Sequence, residues 1–483
     1  MNAGHHDQTA SDLHEVPAAL LELRRVLGLS AVLIGAEVPA RNCRDWSSQP
    51  GGTPLAVVRP ADTAGMAAAV RACHEAGLPM VPQGGLTGLS GGAQPSAGCV
   101  VLSLERLTGI EEIDPAAGTL TARAGTPLEQ IQQAADEAGC YFALDLGARG
   151  SCTIGGNLAT NAGGNRVLRY GMTRELVLGL EAVLPDGRVL SNLNKMLKNN
   201  AGYDLKQLFI GSEGTLGIVT RVVLRLHPKP GCTMSALCAL PGFGAAVELL
   251  QQARTGLGPM LSAFEVMWPD YWDAALDLVG LGSPLPGRHG CYLLIEAQGT
   301  EEAVDAPRFE SWLERMLELG LLEDAALARS VADTQAFWSL RDACGEFPQA
   351  IGAHVSYDIG LKLGDMDAYV GRCKAALARV IPGCRSVYYG HVGDGNIHID
   401  AWIPGLDARQ QPKDAIDAIV YGLVREYGGT ISAEHGIGTT KRQWLPHARS
   451  AEELSLMHTL KQALDPLSLL NPGKVLPTCP KPT

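Results

Sequence analysis

The sequence predicts an α+β protein of two unlike halves, and three observations carry that expectation. Short apolar runs alternate with a helical stretch between residues 51 and 105. Strand signals dominate from 110 to 230 and close at Pro228-Lys-Pro230. Beyond that point, helical and strand stretches alternate again. At about 150 residues per domain, 483 residues make two large units or about three ordinary ones. The predicted division is an N-terminal helical segment at 1–50, a first domain at 51–230, a second at 231–470 and a C-terminal tail at 471–483.

The elements follow in order. Residues 12–35 read as a helix, with Leu13, Val16, Leu20, Leu23 and Val26 spaced for one face. Leu55–Val58 is a short strand, and Thr63–Ala76 is a helix stopped at Gly77. Pro79–Pro82 and Cys99–Ser103 are strands flanking a glycine-rich loop. Gly118–Arg123 alternates as a strand does. Leu178–Leu184, Pro185-Asp-Gly187 and Val189-Leu190 form a hairpin signature, and Gly217–Leu226 is a long β-branched strand. In the second half, Gly244–Ala253, Ala303–Leu319 and Met366–Ala378 read as helices; Cys291–Glu296 and Ser386–Tyr389 read as strands. Asn471-Pro-Gly-Lys474 is a turn before a proline-rich tail.

Composition excludes several classes. With 46% hydrophobic and 19% charged residues, the chain can bury a core and is not globally disordered. Its 57 glycines follow no triplet period, which excludes collagen; they cluster, as they do where backbone must approach a ligand. A net charge of −12 argues against a general binder of nucleic acid or anionic membrane. No run approaches the roughly 18 apolar residues of a membrane span. Met1–Pro17 lacks the basic and apolar regions of a secretory signal. The 12 cysteines, Cys43, Cys73, Cys99, Cys140 and Cys152 among them, form no CxxC pair and read as reduced core thiols of a cytoplasmic protein.

Three stretches look like cofactor cradles: Pro82–Gly92, Gly147–Asn165 and Gly211–Gly217. Successive backbone N–H groups in such loops form anion nests, and glycine admits a pyrophosphate. None is followed by Lys-Ser/Thr as a P-loop is, and none has the dinucleotide-fold glycine spacing. Together they imply an extended, phosphate-bearing cofactor along the first domain.

The second half holds acid–base chemistry. His391 and His398 bracket a glycine-rich turn able to fold both imidazoles toward one point, and Ser432-Ala-Glu-His-Gly-Ile-Gly438 follows. Two histidines and a carboxylate form a common three-ligand divalent site with an open position, suited to Zn²⁺, with Mn²⁺ and Fe²⁺ as alternatives. We assign Glu434 to the metal and His435 to proton transfer; the opposite assignment stays open. Asp394 is a further carboxylate, equally suited to a turn. Arg341 suits an anionic substrate but reads by default as a surface residue on a helix. Lys441 and Arg442 read as solvated. Lys474 either returns to the first domain's cofactor or is surface.

Taken in order, Pro82–Gly92, Asp145–Gly164, Ser212–Val219, Gly390–His398, Ser432–Gly438 and Asn471–Lys474 resemble one family over nearly the whole chain. It is the FAD-linked D-2-hydroxy-acid dehydrogenases of the vanillyl-alcohol-oxidase/p-cresol-methylhydroxylase fold, the group that includes D-lactate dehydrogenase, the FAD subunit of glycolate oxidase and D-2-hydroxyglutarate dehydrogenase. The resemblance implies an FAD-binding domain of two α+β subdomains at 51–230 and a substrate- and metal-binding cap at 231–470. Pro82, Gly84, Gly85, Leu86, Thr87, Gly88 and Leu89 would hold the pyrophosphate. Gly147, Ser151, Cys152, Thr153, Gly155, Gly156, Asn157, Thr160, Asn161, Ala162 and Gly163 would line the ribityl chain and ring. Glu213, Gly214, Ile218 and Val219 would complete the adenine side, with Lys474 returning from the tail.

FAD would be non-covalent, because the pyrophosphate loop has no histidine. His391, His398 and Glu434 would bind the metal, His435 would sit at the substrate hydroxyl, and Arg341 would face the carboxylate of a small anionic 2-hydroxy acid. The electron acceptor has no readable motif, and a homodimer is the assembly such chains often form. Ser356, before Tyr357-Asp358, stands where relatives using dicarboxylates often place Lys, and Asp400, two after His398, stands where Asn is common; this disfavours 2-hydroxyglutarate. The competing readings are a metal-independent flavin oxidase or dehydrogenase of an alcohol or sugar, and a flavin-bearing subunit of a larger complex.

Overall fold

The computed structural model describes residues 16–47, 49–280 and 282–476. The expectations for residues 12–15, for the missing signal segment up to residue 15, and for the tail from 477 lie outside them. The helix expected over 12–35 is observed only as Ala18–Leu27. Gly28 ends it at φ +91°, a backbone state that suits glycine alone, and the chain turns into the strand Val32–Ile34.

A four-stranded sheet follows, in the order Val32–Ile34, Ala56–Val58, Val100–Ser103, Met80–Gln83. Its last three strands are parallel and buried on both faces, which is why they read as continuous apolar runs. The crossover is the helix Thr63–Glu75, capped by the Asp62 carboxylate accepting from Gly65 N–H at 2.7 Å. The parallel strand Met80–Gln83 points its C-terminal end into Gly84–Gly92. A parallel sheet delivers its loops at that end, where ligands bind.

A five-stranded antiparallel sheet comes next: Ile110–Asp114, Thr119–Arg123, Ile218–Arg225, Val177–Val183, Val189–Asn192. One apolar core unites both sheets, with Val58, Leu102, Ile154, Leu180 and Val222 among its members. The strand-rich reading of this region missed the helix Leu128–Glu137. It also missed a short helix, Ile154–Thr160, inside the second glycine-rich stretch. Thr153 caps that helix, its hydroxyl accepting from Gly156 N–H at 3.4 Å.

The second half is a seven-stranded antiparallel sheet: Asp324–Leu327, Cys232–Leu240, Cys291–Gly299, Leu261–Met267, Arg385–Gly390, Asn396–Trp402, Val355–Gly360. The helices Phe243–Gly256, Glu302–Glu318 and Met366–Val380 cover it and share its core. The two halves are tied by Arg166. Its guanidinium donates to both Glu296 carboxylate oxygens, at 3.0 and 3.2 Å, and to Asp145 at 2.8 Å. Ser262 and Trp338 donate to the same Glu296. Among the described residues no helix is long and apolar enough to cross a membrane.

Candidate active site

A cavity of about 950 Å³ runs between the halves. That is the upper end of the range for a ligand pocket, large enough for an extended cofactor and a small substrate together. Its first-half wall is largely backbone. Leu86 is a rare non-glycine residue at positive φ (+64°), and among the described residues no N–H from Gly85 to Leu89 donates to a protein acceptor. Such unpaired donors suit a pyrophosphate.

The glycines are demanded by close approach. A Cβ on Gly85 would lie 2.1 Å from the Ser151 carbonyl oxygen, and one on Gly84 would lie 2.5 Å from the Thr153 hydroxyl. The buried side-chain oxygen of Asn157, which lines the cavity, has no partner. These features fit FAD.

Most of the expected cofactor residues line this wall: Pro82, Gly84 to Leu89, Gly147, Cys152, Thr153, Gly155, Gly156, Asn157, Thr160, Ala162, Gly163, Glu213, Gly214, Ile218 and Val219. Three stand off it. Ser151 lies behind Gly85. The Asn161 side chain accepts from Arg174 N–H at 2.9 Å. Lys474 does return to the first half, but its buried ammonium donates to the Gln94 carbonyl at 2.7 Å, behind the glycine loop. The Glu213 carboxylate is also turned away, accepting from Ile437 and Gly438 N–H at 2.6 and 2.8 Å. It fastens the first half to the loop that carries Glu434 and His435.

The opposite wall is built from paired charges. Gly390, at φ +148°, ends its strand, and a tight turn returns the chain as Asn396–Trp402, in register so that Tyr389 faces His398. The turn brings the His391 and His398 rings to 5.3 Å. One donor atom each from His391, His398 and Glu434 lies within 4.8 Å of the others, and His391 Nε2 is 3.8 Å from Glu434 Oε1. A tetrahedral ion with bonds of about 2.1 Å sets its ligand atoms about 3.4 Å apart, so only the wider gaps must close. The donor set fits a divalent cation.

Two carboxylates that sequence reading did not assign hold this wall in place. Glu265, on Leu261–Met267, is 1% exposed. Its Oε1 takes His391 Nδ1 at 2.7 Å and its Oε2 takes Arg341 Nε at 2.9 Å. Burial opposes its ionisation, but the charges of His391 and Arg341 hold its carboxyl down at about 2. In return, and against burial, Glu265 raises His391 to about 9: this is a site that favours positive charge on the imidazole. With Nδ1 fixed on Glu265, Nε2 is left for the cavity, where Arg341 Nη2 contacts it at 3.0 Å. His398, lowered well below its usual range by burial and by the nearby positive charges, is neutral and ready to ligate.

Asp358, on Val355–Gly360, is fully buried opposite His398. Its Oδ2 accepts from the N–H groups of Ala433, Glu434 and His435 at 3.1, 2.8 and 2.8 Å. Its Oδ1 lies 3.3 Å from His435 Nδ1 and pairs closely with Lys441. Burial would raise this carboxyl, yet the charges of His435 and Lys441 hold it well below the usual range. Asp358 thereby shapes the loop that carries Glu434 and His435, and with Nδ1 turned to it His435 Nε2 has no protein partner among the described residues. Lys441, expected in solvent, is instead buried as the partner of this acid. Arg341 is likewise 6% exposed rather than on the surface.

The two walls touch. A Cβ on Gly163 would fall 2.6 Å from Glu434 Oε1, and one on Gly438 would fall 1.9 Å from the Ser90 carbonyl. Sequence reading also missed Trp46, Tyr389 and His354 on the cavity wall. Trp46 lies in a segment with no local signal; Tyr389 sits in a run that read as an ordinary strand, and the strand Leu261–Met267 that carries Glu265 was not read as an element.

Comparison with known proteins defines the class first. Residues 54–192 match the FAD binding domain, and residues 229–475 match the C-terminal domain of FAD linked oxidases. The fold is similar to that of p-cresol methylhydroxylase solved with substrate bound (TM-score 0.76, 18% identity, 95% of this chain and 96% of that one). It is also similar to alkyldihydroxyacetonephosphate synthase (TM-score 0.74, 17% identity, 96% of this chain and 86% of that one). The chain is therefore an FAD linked oxidase by its domains, with a fold similar to that of p-cresol methylhydroxylase.

Curated relatives narrow this. The mitochondrial D-2-hydroxyglutarate dehydrogenase of Bos taurus is 40% identical over 435 residues, 90% of this chain and 79% of the relative. That of Xanthomonas citri pv. viticola is 40% identical over 450 residues, 91% and 93%. A putative mitochondrial D-lactate dehydrogenase of Schizosaccharomyces pombe is 35% identical over 456 residues, 92% and 86%. The chain belongs to the family of FAD-dependent hydroxy-acid dehydrogenases.

Proposed function

We propose that this chain oxidises a D-2-hydroxy acid to the 2-oxo acid with FAD, assisted by a divalent cation held by His391, His398 and Glu434. The observation that carries the reading is the convergence of those three donors beside Arg341 and His435, on the wall facing the glycine cradle. When bound, FAD accepts the hydride from the substrate Cα, and the cation lowers the pKa of the substrate hydroxyl.

The chain's own residues do the rest. Arg341 has five N–H donors; those not engaged by Glu265, Asp342 and His391 hold the substrate carboxylate. His435 Nε2 takes the hydroxyl proton, and Asp358 stabilises the imidazolium that forms. The glycine wall lets the reacting carbon approach closely. A cation held at His391 Nε2 would displace both the proton favoured there and the Arg341 Nη2 contact, freeing the guanidinium for substrate.

Support for Zn²⁺ is the N/O donor set, which Mn²⁺ and Fe²⁺ also accept. Non-covalent FAD is supported by the absence of histidine from Pro82–Gly92 and by burial, which raises the Cys152 thiol and blunts it as a nucleophile. We further propose the division into an FAD domain at 51–230 and a cap at 231–470. A cytoplasmic setting is supported by the 11 described cysteines, all free thiols. Elemental analysis of the yellow, purified chain should find about one divalent metal per flavin. It should find none in His391→Ala with the flavin retained; a fully active protein containing no metal would overturn the metal role.

A further inference from the structure

One strand of the second sheet carries the tie between the halves. Glu296, on Cys291–Gly299, is fully buried and lies opposite Ala263, one alternate step along from the pair Leu294 and Glu265. Glu296 and Glu265 therefore project from the same face of the sheet. Each pins the helix Val331–Arg341 at one point. Trp338 Nε1 donates to Glu296 Oε2 at 3.3 Å, and one helical turn on Arg341 Nε donates to Glu265 Oε2 at 2.9 Å.

Glu296 also receives Arg166, from the segment that leaves the second glycine-rich stretch. Arg166 Nε and Nη2 reach its two oxygens at 3.0 and 3.2 Å, a bidentate pair, and Nη1 reaches Asp145 on the cavity wall at 2.8 Å. Among the described residues this is the only ion pair that joins residues 51–230 to residues 231–470. The residues that follow extend the grip. Arg169 Nη1 donates to the Gln298 carbonyl at 2.7 Å and the Tyr170 hydroxyl to Gln298 Oε1 at 2.9 Å, two residues further along the same strand. Leu168 lies beside Gly393, where an added Cβ would meet it at 3.0 Å, inside the turn between His391 and His398. The segment 163–170 thus begins on the glycine cradle and ends on the sheet that carries the histidines and the substrate arm.

Every group assigned above to the substrate (Arg341, His435 and the metal donors) belongs to the second half, and the glycine cradle belongs to the first. Substrate affinity is then set within one half, and the approach of the carbinol carbon to the flavin is set between the two. We propose that Arg166 and Glu296 are a positioning pair: they hold the substrate-bearing half in register with the flavin-bearing half, so that weakening them slows hydride transfer without loosening substrate or flavin. The inference rests on the function proposed above and adds two residues to it that touch neither substrate nor metal. Glu213 ties the halves separately, through the Ile437 and Gly438 N–H groups, so loss of the Arg166 fork leaves them joined.

Two donors to one carboxylate give the test. Arg166→Lys keeps the charge and loses the fork, whereas Trp338→Phe keeps a ring and loses the N–H within the second half alone. Anaerobic stopped-flow mixing of the flavin-loaded full chain with D-lactate, D-malate and D-2-hydroxyglutarate identifies the compound that bleaches the wild type fastest. With that compound, the limiting rate of flavin reduction is separated from the apparent Kd. Titration of the oxidised flavin spectrum with oxalate reads affinity without turnover. In Arg166→Lys the limiting rate should fall at least about tenfold, with the substrate Kd and the oxalate Kd within about twofold of wild type. In Trp338→Phe the two Kd values should rise and the limiting rate should change less than in Arg166→Lys.

A limiting rate in Arg166→Lys close to that of wild type overturns the proposal. So does a loss of substrate affinity as large as the loss of rate, or a rate loss in Trp338→Phe equal to that in Arg166→Lys, because either describes general loosening around Glu296. If Arg166→Lys is obtained without flavin, Glu296→Gln, which keeps the volume and removes the charge, decides by its limiting rate. Bleaching of the wild type by none of the three compounds overturns this inference together with the function on which it rests; normal bleaching in wild type and variants alike overturns this inference only.

Discussion

The two walls of the cavity are made of different materials. The wall from the first half is backbone: glycines at close approach, unpaired N–H groups and one uncapped amide oxygen. The wall from the second half is charge: Glu265 between His391 and Arg341, and Asp358 between His435, Lys441 and a run of N–H groups. The first binds by shape and tolerates little added volume. The second acts by ionisation and tolerates little change of charge. Substitutions should therefore separate into flavin-losing and turnover-losing classes, and the following predictions test whether they do.

The largest effect falls on the charged wall. His391→Ala, or removal of the metal by a chelator, should lower turnover about a thousandfold while the flavin absorbance stays. Loss of flavin alongside activity would merge the two walls into one. Glu265→Gln should follow, with activity and metal occupancy reduced about 10- to 100-fold, the usual weight of a carboxylate behind a metal-bound histidine. Glu265→Ala should in addition lose about 3–5 kcal/mol of stability, because it strands the buried Arg341 charge. Chemical denaturation distinguishes the two.

On the backbone wall, Gly85→Ala drives a Cβ against the Ser151 carbonyl and should weaken flavin binding about tenfold, from about 1–3 kcal/mol of overpacking. Its metal content should not change. The smallest effect lies at the junction. Burial, helped by Arg225 and Arg169, pulls His227 down to about 4. The unfolded chain takes up this proton near pH 6.5 and the folded chain only near 4, so stability falls as pH drops through that window. His227→Gln should flatten the dependence by about 1–2 °C in the thermal midpoint.

The same contrast explains what the sequence revealed. The glycine cradle was legible because close approach demands glycine locally, and clusters of it are visible in a row. The turn from His391 to His398 was legible because both rings lie within one hairpin. Glu265 and Asp358 were not legible as anchors. Each is a single acid in a buried strand, and each finds its partners 76 to 126 and 74 to 83 residues away. Lys441 was misplaced for the same reason: nothing near it in sequence announces Asp358. The N-terminal helix was overextended because its apolar spacing continues past Gly28, where the left-handed turn overrides it. The helix Ile154–Thr160 was hidden because its glycines read as loop.

The account's central claim is that His391, His398 and Glu434 hold a cation on which the oxidation depends, beside a flavin that does not need it to stay bound. Rapid anaerobic mixing of a D-2-hydroxy acid with the protein before and after chelation tests this most directly. The prediction is flavin bleaching before, none after, and recovery when a divalent metal is returned. Bleaching at an undiminished rate in the metal-free protein would contradict it.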